Sequence, residues 1–257
     1  MNKECPQELI TLAHRMADVA GEVIRKYFRQ KIDIIGKDDN SPVTIADRDA
    51  EAAMRTLIDA EFPSHGIIGE EHGSVRTDAE YIWVLDPIDG TLSFISGSPT
   101  FGSLIALTRN GVPIMGILDQ PISGERWVGA NDRTTLNGAI ITTRACPDLS
   151  NATLFAYGTE LMEGEHGPAF CRLHDAVKRK RFGYDCYAYA LLALGFVDIV
   201  ADCDMKPYDY AALVPIVENA GGKITDWKGN PMTLANPGFV LAAGDLSSHH
   251  QALEILA

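Results

Sequence analysis

The sequence predicts an α+β protein, and three observations predict it. Apolar stripes at helical spacing fill the N-terminal quarter, residues 102–142 alternate apolar and polar around two Asn-Gly pairs, and beyond residue 150 short apolar strands alternate with helical stretches. Taken in order, Leu9, Ala13, Met16, Ala20, Val23, Ile24 and Tyr27 share one face of a first helix. Met54, Leu57 and Ile58 share a face of a second, which begins near Thr44 or Asp47. Between them, Lys37-Asp38-Asp39-Asn40-Ser41-Pro42 is polar and turn-rich, and reads either as a plain connector or as a flap that carries Lys37. Ile67 and Ile68 open a short apolar strand that ends in Glu70 and Glu71, and residues 81–85 form a buried strand that Pro87 and Gly90 are expected to stop.

Asn110-Gly111 and Asn137-Gly138 are strong hairpin signals, so residues 102–142 should make an antiparallel sheet. Strands at 152–156 and 196–201 then alternate with helices at 168–178, 187–194 and 208–219, giving a second sheet with covering helices. No repeat, linker or low-complexity segment interrupts the chain. The expected organisation is one compact unit built of an α+β half, 1–145, and an α/β half, 146–257.

Composition narrows the function. A length of 257 residues is enough to bury roughly three quarters of the unfolded surface. The formal charge of -13 argues against a nucleic-acid partner, which needs a basic stripe. The one basic run, Lys178-Arg179-Lys180-Arg181, reads as a solvated helix end or as a grip for a second phosphate. Five cysteines without a Cys-x-x-Cys pair suit a reducing cytoplasm, and the seven histidines show no helical metal spacing, so zinc is not expected. No apolar run approaches the ~20 residues of a membrane span, and no charged-then-apolar leader pattern opens the chain.

The most informative stretch is Trp83-Val84-Leu85-Asp86-Pro87-Ile88-Asp89-Gly90-Thr91. It ends an apolar strand in two carboxylates three residues apart and follows them with Gly-Thr. Asp86, Asp89 and the Ile88 carbonyl are hard oxygen donors of the kind magnesium prefers, and the N–H groups of Gly90 and Thr91 favour an anion. Alone, the segment is equally an Asp-Pro turn with an aspartate capping the next helix. Glu70 and Asp209 add acids at two further element ends, although an acid such as Asp209 in a first helical turn is often only a dipole partner. A chain this acidic repels a phosphate monoester unless cations reverse the local field, so phosphatase chemistry here requires bound metal.

These residues resemble the inositol monophosphatase family, which carries a strand ending in Asp-Pro-x-Asp-Gly-Thr and a later aromatic-Asp-x-Ala-Ala helix start. Both occur here in order, as Asp86 to Thr91 and Tyr208-Asp209-Tyr210-Ala211-Ala212, and the resemblance runs from Thr44-Ile45-Ala46-Asp47 through Ala220-Gly221-Gly222. It implies a layered α-β-α-β-α sandwich, usually a homodimer, with two or three Mg2+ ions on Glu70, Asp86, the Ile88 carbonyl, Asp89 and Asp209. It also implies that Asp47 and Thr91 orient and deprotonate the attacking water. The mechanism expected is direct hydrolysis without a phosphoenzyme, with Glu70 helping to hold the ion that activates the water; if the 37–42 segment is a flap and not a connector, it would bring Lys37 toward the metals.

Within the family the chain looks most like the histidinol-phosphatase branch. Ser93 stands where the inositol enzymes usually have Asn, Gly183-Tyr184-Asp185-Cys186-Tyr187 looks like that branch's Gly-Asp-Cys-Tyr segment, and Met205-Lys206-Pro207-Tyr208-Asp209 matches its Leu-Lys-Pro-Tyr-Asp. Asp202, seven residues before Asp209, departs from the family's usual Glu. Histidinol phosphate carries an amine and an imidazole beside its phosphate, so Gly90 and Thr91 at one end and Asp185 and Asp202 at the other are the expected substrate contacts. The alternatives are an inositol or bisphosphate phosphatase of the same superfamily, a haloacid-dehalogenase-type phosphatase with an aspartyl nucleophile, and a non-catalytic metal-binding regulator.

Overall fold

A computed structural model of the chain describes residues 4–31, 35–36 and 42–256. Its helices are α1 (Gln7–Tyr27), α2 (Ile45–Glu61), α3 (Thr91–Ser96), α4 (Gly167–Ala176), α5 (Tyr187–Ala193), α6 (Pro207–Tyr210), α7 (Leu213–Glu218) and α8 (Leu246–Leu256). The strands are β1 (Ile35–Gly36), β2 (Pro42–Val43), β3 (Gly66–Gly69), β4 (Gly73–Val75), β5 (Tyr81–Asp89), β6 (Gly102–Arg109), β7 (Val112–Gln120), β8 (Glu125–Ala130), β9 (Arg133–Leu136), β10 (Ala139–Ile141), β11 (Thr153–Ala156), β12 (Arg179–Phe182), β13 (Ile199–Asp202), β14 (Lys223–Thr225) and β15 (Val240–Ala243).

Two sheets organise the molecule: an eight-stranded one in the order β10-β9-β8-β7-β6-β5-β3-β4 and a five-stranded one in the order β12-β11-β13-β15-β14. The period-2 alternation of each strand decides which layer its side chains enter. In β5, Trp83 and Leu85 join Ile105 and Leu107 of β6 under α1 and α2, while Ile82 and Val84 point the other way with Leu104 and Ala106. That second face packs on α5, α6 and α7, which also cover Phe155, Val200 and Ala242 of the smaller sheet. The outer face of the smaller sheet, with Leu154, Ile199, Ala201 and Leu241, lies under α4 and α8. The architecture is the α-β-α-β-α sandwich that the resemblance implies.

The N-terminal helices follow the expected stripes: Leu9, Ala13, Met16, Ala20 and Ile24 are buried in α1, and Met54 and Ile58 in α2. Thr44 caps α2 with a reciprocal box, its Oγ1 accepting the Ala46 N–H at 3.1 Å while Asp47 accepts the Thr44 N–H at 2.9 Å. Asn110 and Gly111 take φ of 51° and 77°, the left-handed pair a tight hairpin needs, and Asn137 with Gly138 does the same at 49° and 85°.

Four expectations are corrected. Pro87 does not stop its strand: β5 continues to Asp89, with a register shift against β6 between Asp86 and Asp89. Proline is tolerated there because it sits inside the bulge, where no ladder donor is required, and its carbonyl is used by Ser103 Oγ at 2.6 Å. Residues 208–219 do not make one helix but α6 and α7, since Pro215 would otherwise lie mid-helix and remove the bond to the Ala211 carbonyl. Arg179, Lys180 and Arg181 belong to the edge strand β12, paired parallel to β11, instead of a helix end. The strand expected at 196–201 is β13, Ile199–Asp202, so Asp202 is its last residue and shares the inward parity of Val200.

Candidate active site

Three elements bring their acidic ends to one place. The β5 bulge supplies Asp86, which is 2 % exposed, and Asp89; the end of β3 supplies Glu70, and the first turn of α6 supplies Asp209. Carboxylate oxygens of Asp86, Asp89 and Asp209 lie within 4.8 Å of one another, and Glu70 shares a hydrogen bond with Asp86. The three aspartates are each aimed by a backbone donor: Ile88 N–H to Asp86 Oδ1 at 3.0 Å, Cys186 N–H to Asp89 Oδ2 at 2.7 Å, and Lys206 N–H to Asp209 Oδ2 at 2.6 Å. The turn after Glu70 is pinned by Glu51, a fully buried carboxylate that accepts the Glu71 and His72 N–H groups at 2.7 and 3.1 Å and pairs with Arg55 at 2.7 Å.

Burial, then mutual repulsion, pushes the Asp86 and Asp89 carboxyls well above the ordinary carboxylate range. Burial and the Glu70 charge raise Asp209 to about 7 against the backbone donor of Lys206. So dense a set of hard oxygens in a low-dielectric pocket fits a divalent cation of the magnesium class and resists holding its charge without one.

Asp47 lies at the start of α2, where its carboxyl feels the charge of Glu71, the residue after Glu70. Its Oδ2 accepts from both the N–H and the Oγ1 of Thr44, at 2.9 and 2.5 Å, while its buried Oδ1 has no hydrogen-bond partner. Burial raises it to about 6, opposed by the Thr44 donors. Thr91 opens α3, and its hydroxyl donates to the Ile88 carbonyl at 3.2 Å. Gly90 precedes it at φ +84°, and a Cβ there would sit 2.7 Å from the Asp185 carboxyl, so both conformation and space require glycine. Asp185 is held by Ser93 Oγ at 2.5 Å, which gives a purpose to the serine that the sequence marks as unusual. Lys37 falls outside the described residues.

Beyond the acids opens a cavity of about 290 Å³ lined by Asp89, Asp185, Asp202, Asp204 and Asp209, with Tyr157, Tyr189 and Cys186 among its other walls and, among the described residues, no basic side chain. Asp202 is oriented by the Tyr157 N–H at 2.9 Å and the Tyr189 hydroxyl at 2.8 Å, and burial raises it to about 6. Tyr157, Tyr189 and Asp204 escaped sequence reasoning; only their approach to Asp202 in space reveals them.

The raised acids carry a pH signature. Asp47 and Asp202 release their protons near 3.8 when unfolded but at about 6 when folded, and Asp209 at about 7. Each therefore favours the fold fully below about pH 4 and loses that contribution as the pH rises through 6 to 7, on the order of 3–4 kcal/mol per group. Metal-free protein is expected to melt at a lower temperature at pH 8 than at pH 5.5, and magnesium at pH 8 should restore it. Scanning calorimetry in chelator checks this; a melting temperature that stays level or climbs over that range contradicts it.

This fold and this carboxylate site define a phosphoric monoester hydrolase. The chain belongs to the inositol monophosphatase family, whose sequence profile matches residues 6–256, and which is generally magnesium-dependent and acts on small phosphate monoesters. It is 52 % identical over 274 residues to the "Bifunctional phosphatase IMPL2, chloroplastic" of Arabidopsis thaliana, covering 100 % of this chain and 79 % of that protein. It is 34 % identical over 236 residues to a histidinol-phosphatase of Chlorobaculum parvum, covering 91 % of each. Among solved structures, an inositol monophosphatase from Zymomonas mobilis superposes with a TM-score of 0.90 at 47 % identity, covering 97 % of this chain and 98 % of that one. Among the described residues, no helix is long and apolar enough to cross a membrane.

Proposed function

We propose that the chain hydrolyses histidinol phosphate to histidinol and phosphate, a step of histidine biosynthesis, in a reducing, cytoplasm-like compartment and as a homodimer. The observation that carries this is the cavity beside the metal cluster, whose walls, among the described residues, hold Asp185, Asp202 and Asp204 besides the metal-ligating Asp89 and Asp209, and no basic residue. Such walls suit the amine and imidazole of a cationic alcohol and offer nothing to a second phosphate. An inositol ring, being neutral, gains nothing from so much negative charge. Lys178 to Arg181 are absent from the cavity lining, with Arg181 stacked over Tyr184 at 5.3 Å, which weighs against a bisphosphate substrate.

In this reading Glu70, Asp86, the Ile88 carbonyl, Asp89 and Asp209 hold two or three magnesium ions. Bound there, magnesium supplies positive charge to the phosphate oxygens and acidifies water. Asp47 takes the proton of the attacking water, relayed by the Thr91 hydroxyl: its free Oδ1 is a buried acceptor, and a pKa of about 6 leaves it deprotonated yet still basic at neutral pH. N–H groups of Gly90 and Thr91 at the open first turn of α3 hold the phosphate. Asp185 and Asp202 take the cationic end of the alcohol.

Phosphate release from histidinol phosphate, myo-inositol phosphate and a nucleotide bisphosphate, each with magnesium and with chelator, tests the reading. Histidinol phosphate should lead by tenfold or more in kcat/KM, about 1.4 kcal/mol of transition-state preference. A lead for inositol phosphate would leave the metal chemistry intact and remove the role of Asp185 and Asp202.

A further inference from the structure

The histidines that show no metal spacing in the sequence are not all isolated in space. His166, at the start of α4, reaches Cys203, the first residue after β13: Cys203 Sγ lies 3.2 Å from His166 Nε2 and 3.4 Å from Asp204 Oδ2. One donor atom from each of the three residues falls within 4.8 Å of the other two. Zinc with one sulfur at about 2.3 Å and nitrogen or oxygen at about 2.0–2.1 Å sets tetrahedral donor separations of about 3.5 Å from the sulfur. The two separations from the sulfur are already close to that.

The surroundings also hold the donors in place. The His166 ring stands edge-on to Trp227 and Phe239, at 6.1 and 5.4 Å between centroids, which fixes its direction in an apolar setting. Cys203 is 4 % exposed, and Asp204 takes a left-handed φ of +60° that turns its carboxylate back over the thiol. Thiol, imidazole and carboxylate together select a borderline cation of the zinc class, in contrast to the all-oxygen cluster at Asp86. Only three ligands come from the protein, so the fourth position stays open, as in sites that exchange their ligand.

We propose that His166, Cys203 and Asp204 form a second, thiophilic metal site that binds zinc and inhibits the enzyme. On binding, the sulfur–hydrogen bond of Cys203 is exchanged for a sulfur–metal bond and its proton leaves to solvent. Cys203 and Asp204 line the same cavity as Asp202. The dication with the Cys203 thiolate and the Asp204 carboxylate is neutral overall, so binding cancels the negative charge of Asp204 on that wall, occupies its carboxylate and weakens the hold on a cationic alcohol; this consequence, unlike the binding itself, rests on the proposed substrate.

The test uses the full chain with saturating magnesium. Cobalt, as a coloured stand-in for zinc, should give a thiolate-to-metal absorption band in wild type that an all-oxygen cluster cannot give. The band should vanish in Cys203→Ser and weaken at least tenfold in affinity in His166→Ala, with circular dichroism confirming that both are folded. His166 does not line the cavity, so His166→Ala should keep its zinc-free turnover while losing zinc inhibition by tenfold or more in midpoint. A band unchanged in His166→Ala overturns the site, and that variant suffices if Cys203→Ser does not fold. A lost band with undiminished zinc inhibition overturns the inhibitory role. Failure of the substrate assignment is separately visible, as absent turnover of histidinol phosphate before any zinc is added.

Discussion

Asp86→Asn should lower turnover by a hundredfold or more and, in metal-free protein, raise the melting temperature. The two effects have one origin. Asp86 is buried at the centre of the cluster, sharing hydrogen bonds with Glu70 and Asp209 and facing the charge of Asp89. Without a cation, those carboxylates repel one another in a pocket that solvates them poorly, so removing one charge relieves the fold. With magnesium the sign reverses, because the cation loses a ligand and the fold loses the stabilisation that binding supplies. A hundredfold is about 2.7 kcal/mol of barrier, the scale reached when one preorganised electrostatic group is removed from a site. Asparagine keeps an Oδ1 that can accept the Ile88 N–H now bound at 3.0 Å, so the backbone turn should survive. Calorimetry with and without magnesium, beside steady-state kinetics, reads all of this. A variant that melts lower in chelator and recovers normally with magnesium would show that Asp86 serves the fold and not the metal.

Much of this arrangement is written locally. The Asp86–Thr91 segment, the acid after β3 and the acid opening α6 stand out by position, since each sits near the end of an apolar run or the start of a helix, although grouping them as one ligand set rests on the family resemblance. Helices α1 and α2 and the two Asn-Gly hairpins are equally local, fixed by periodicity and left-handed turn residues. What sequence could not supply is set by neighbours distant along the chain. Pro87 lies inside a strand because β5 bulges there against β6, and Arg179 to Arg181 form a strand because β11 lends them an edge. Asp202 becomes a buried acid because Tyr157 and Tyr189 close over it from other elements. Glu51 reads as one more polar residue on α2, and only the folded chain shows it clamping the loop after Glu70. The His166–Cys203 contact spans 37 positions, beyond any motif spacing.

The largest loss of stability is expected from a residue with no polar chemistry at all. Gly116 of β7 and Gly129 of β8 are directly paired across the sheet, and both face the helical layer. A Cβ on Gly116 would lie 2.0 Å from the Ala212 carbonyl oxygen, and one on Gly129 2.4 Å from that of Pro215. These obstacles are backbone, so no rotamer change can relieve them. The two glycines form a flat seat on which the α6–α7 junction rests, and Asp209 lies three residues before Ala212. Gly116→Ala must therefore lift that junction or bend the sheet, which is overpacking with its upper range of cost, about 3 kcal/mol. For a chain of this size that is a fall in melting temperature of roughly 6–12 °C. The lift also moves Asp209 away from Asp86 and Asp89, so the magnesium concentration that half-restores stability should rise by about tenfold. Thermal melts across a magnesium titration measure both quantities on one sample. A variant that melts as wild type would mean the helix does not rest on Gly116, whereas one that melts early with unchanged magnesium affinity would mean Asp209 is held by its own loop and not by this seat.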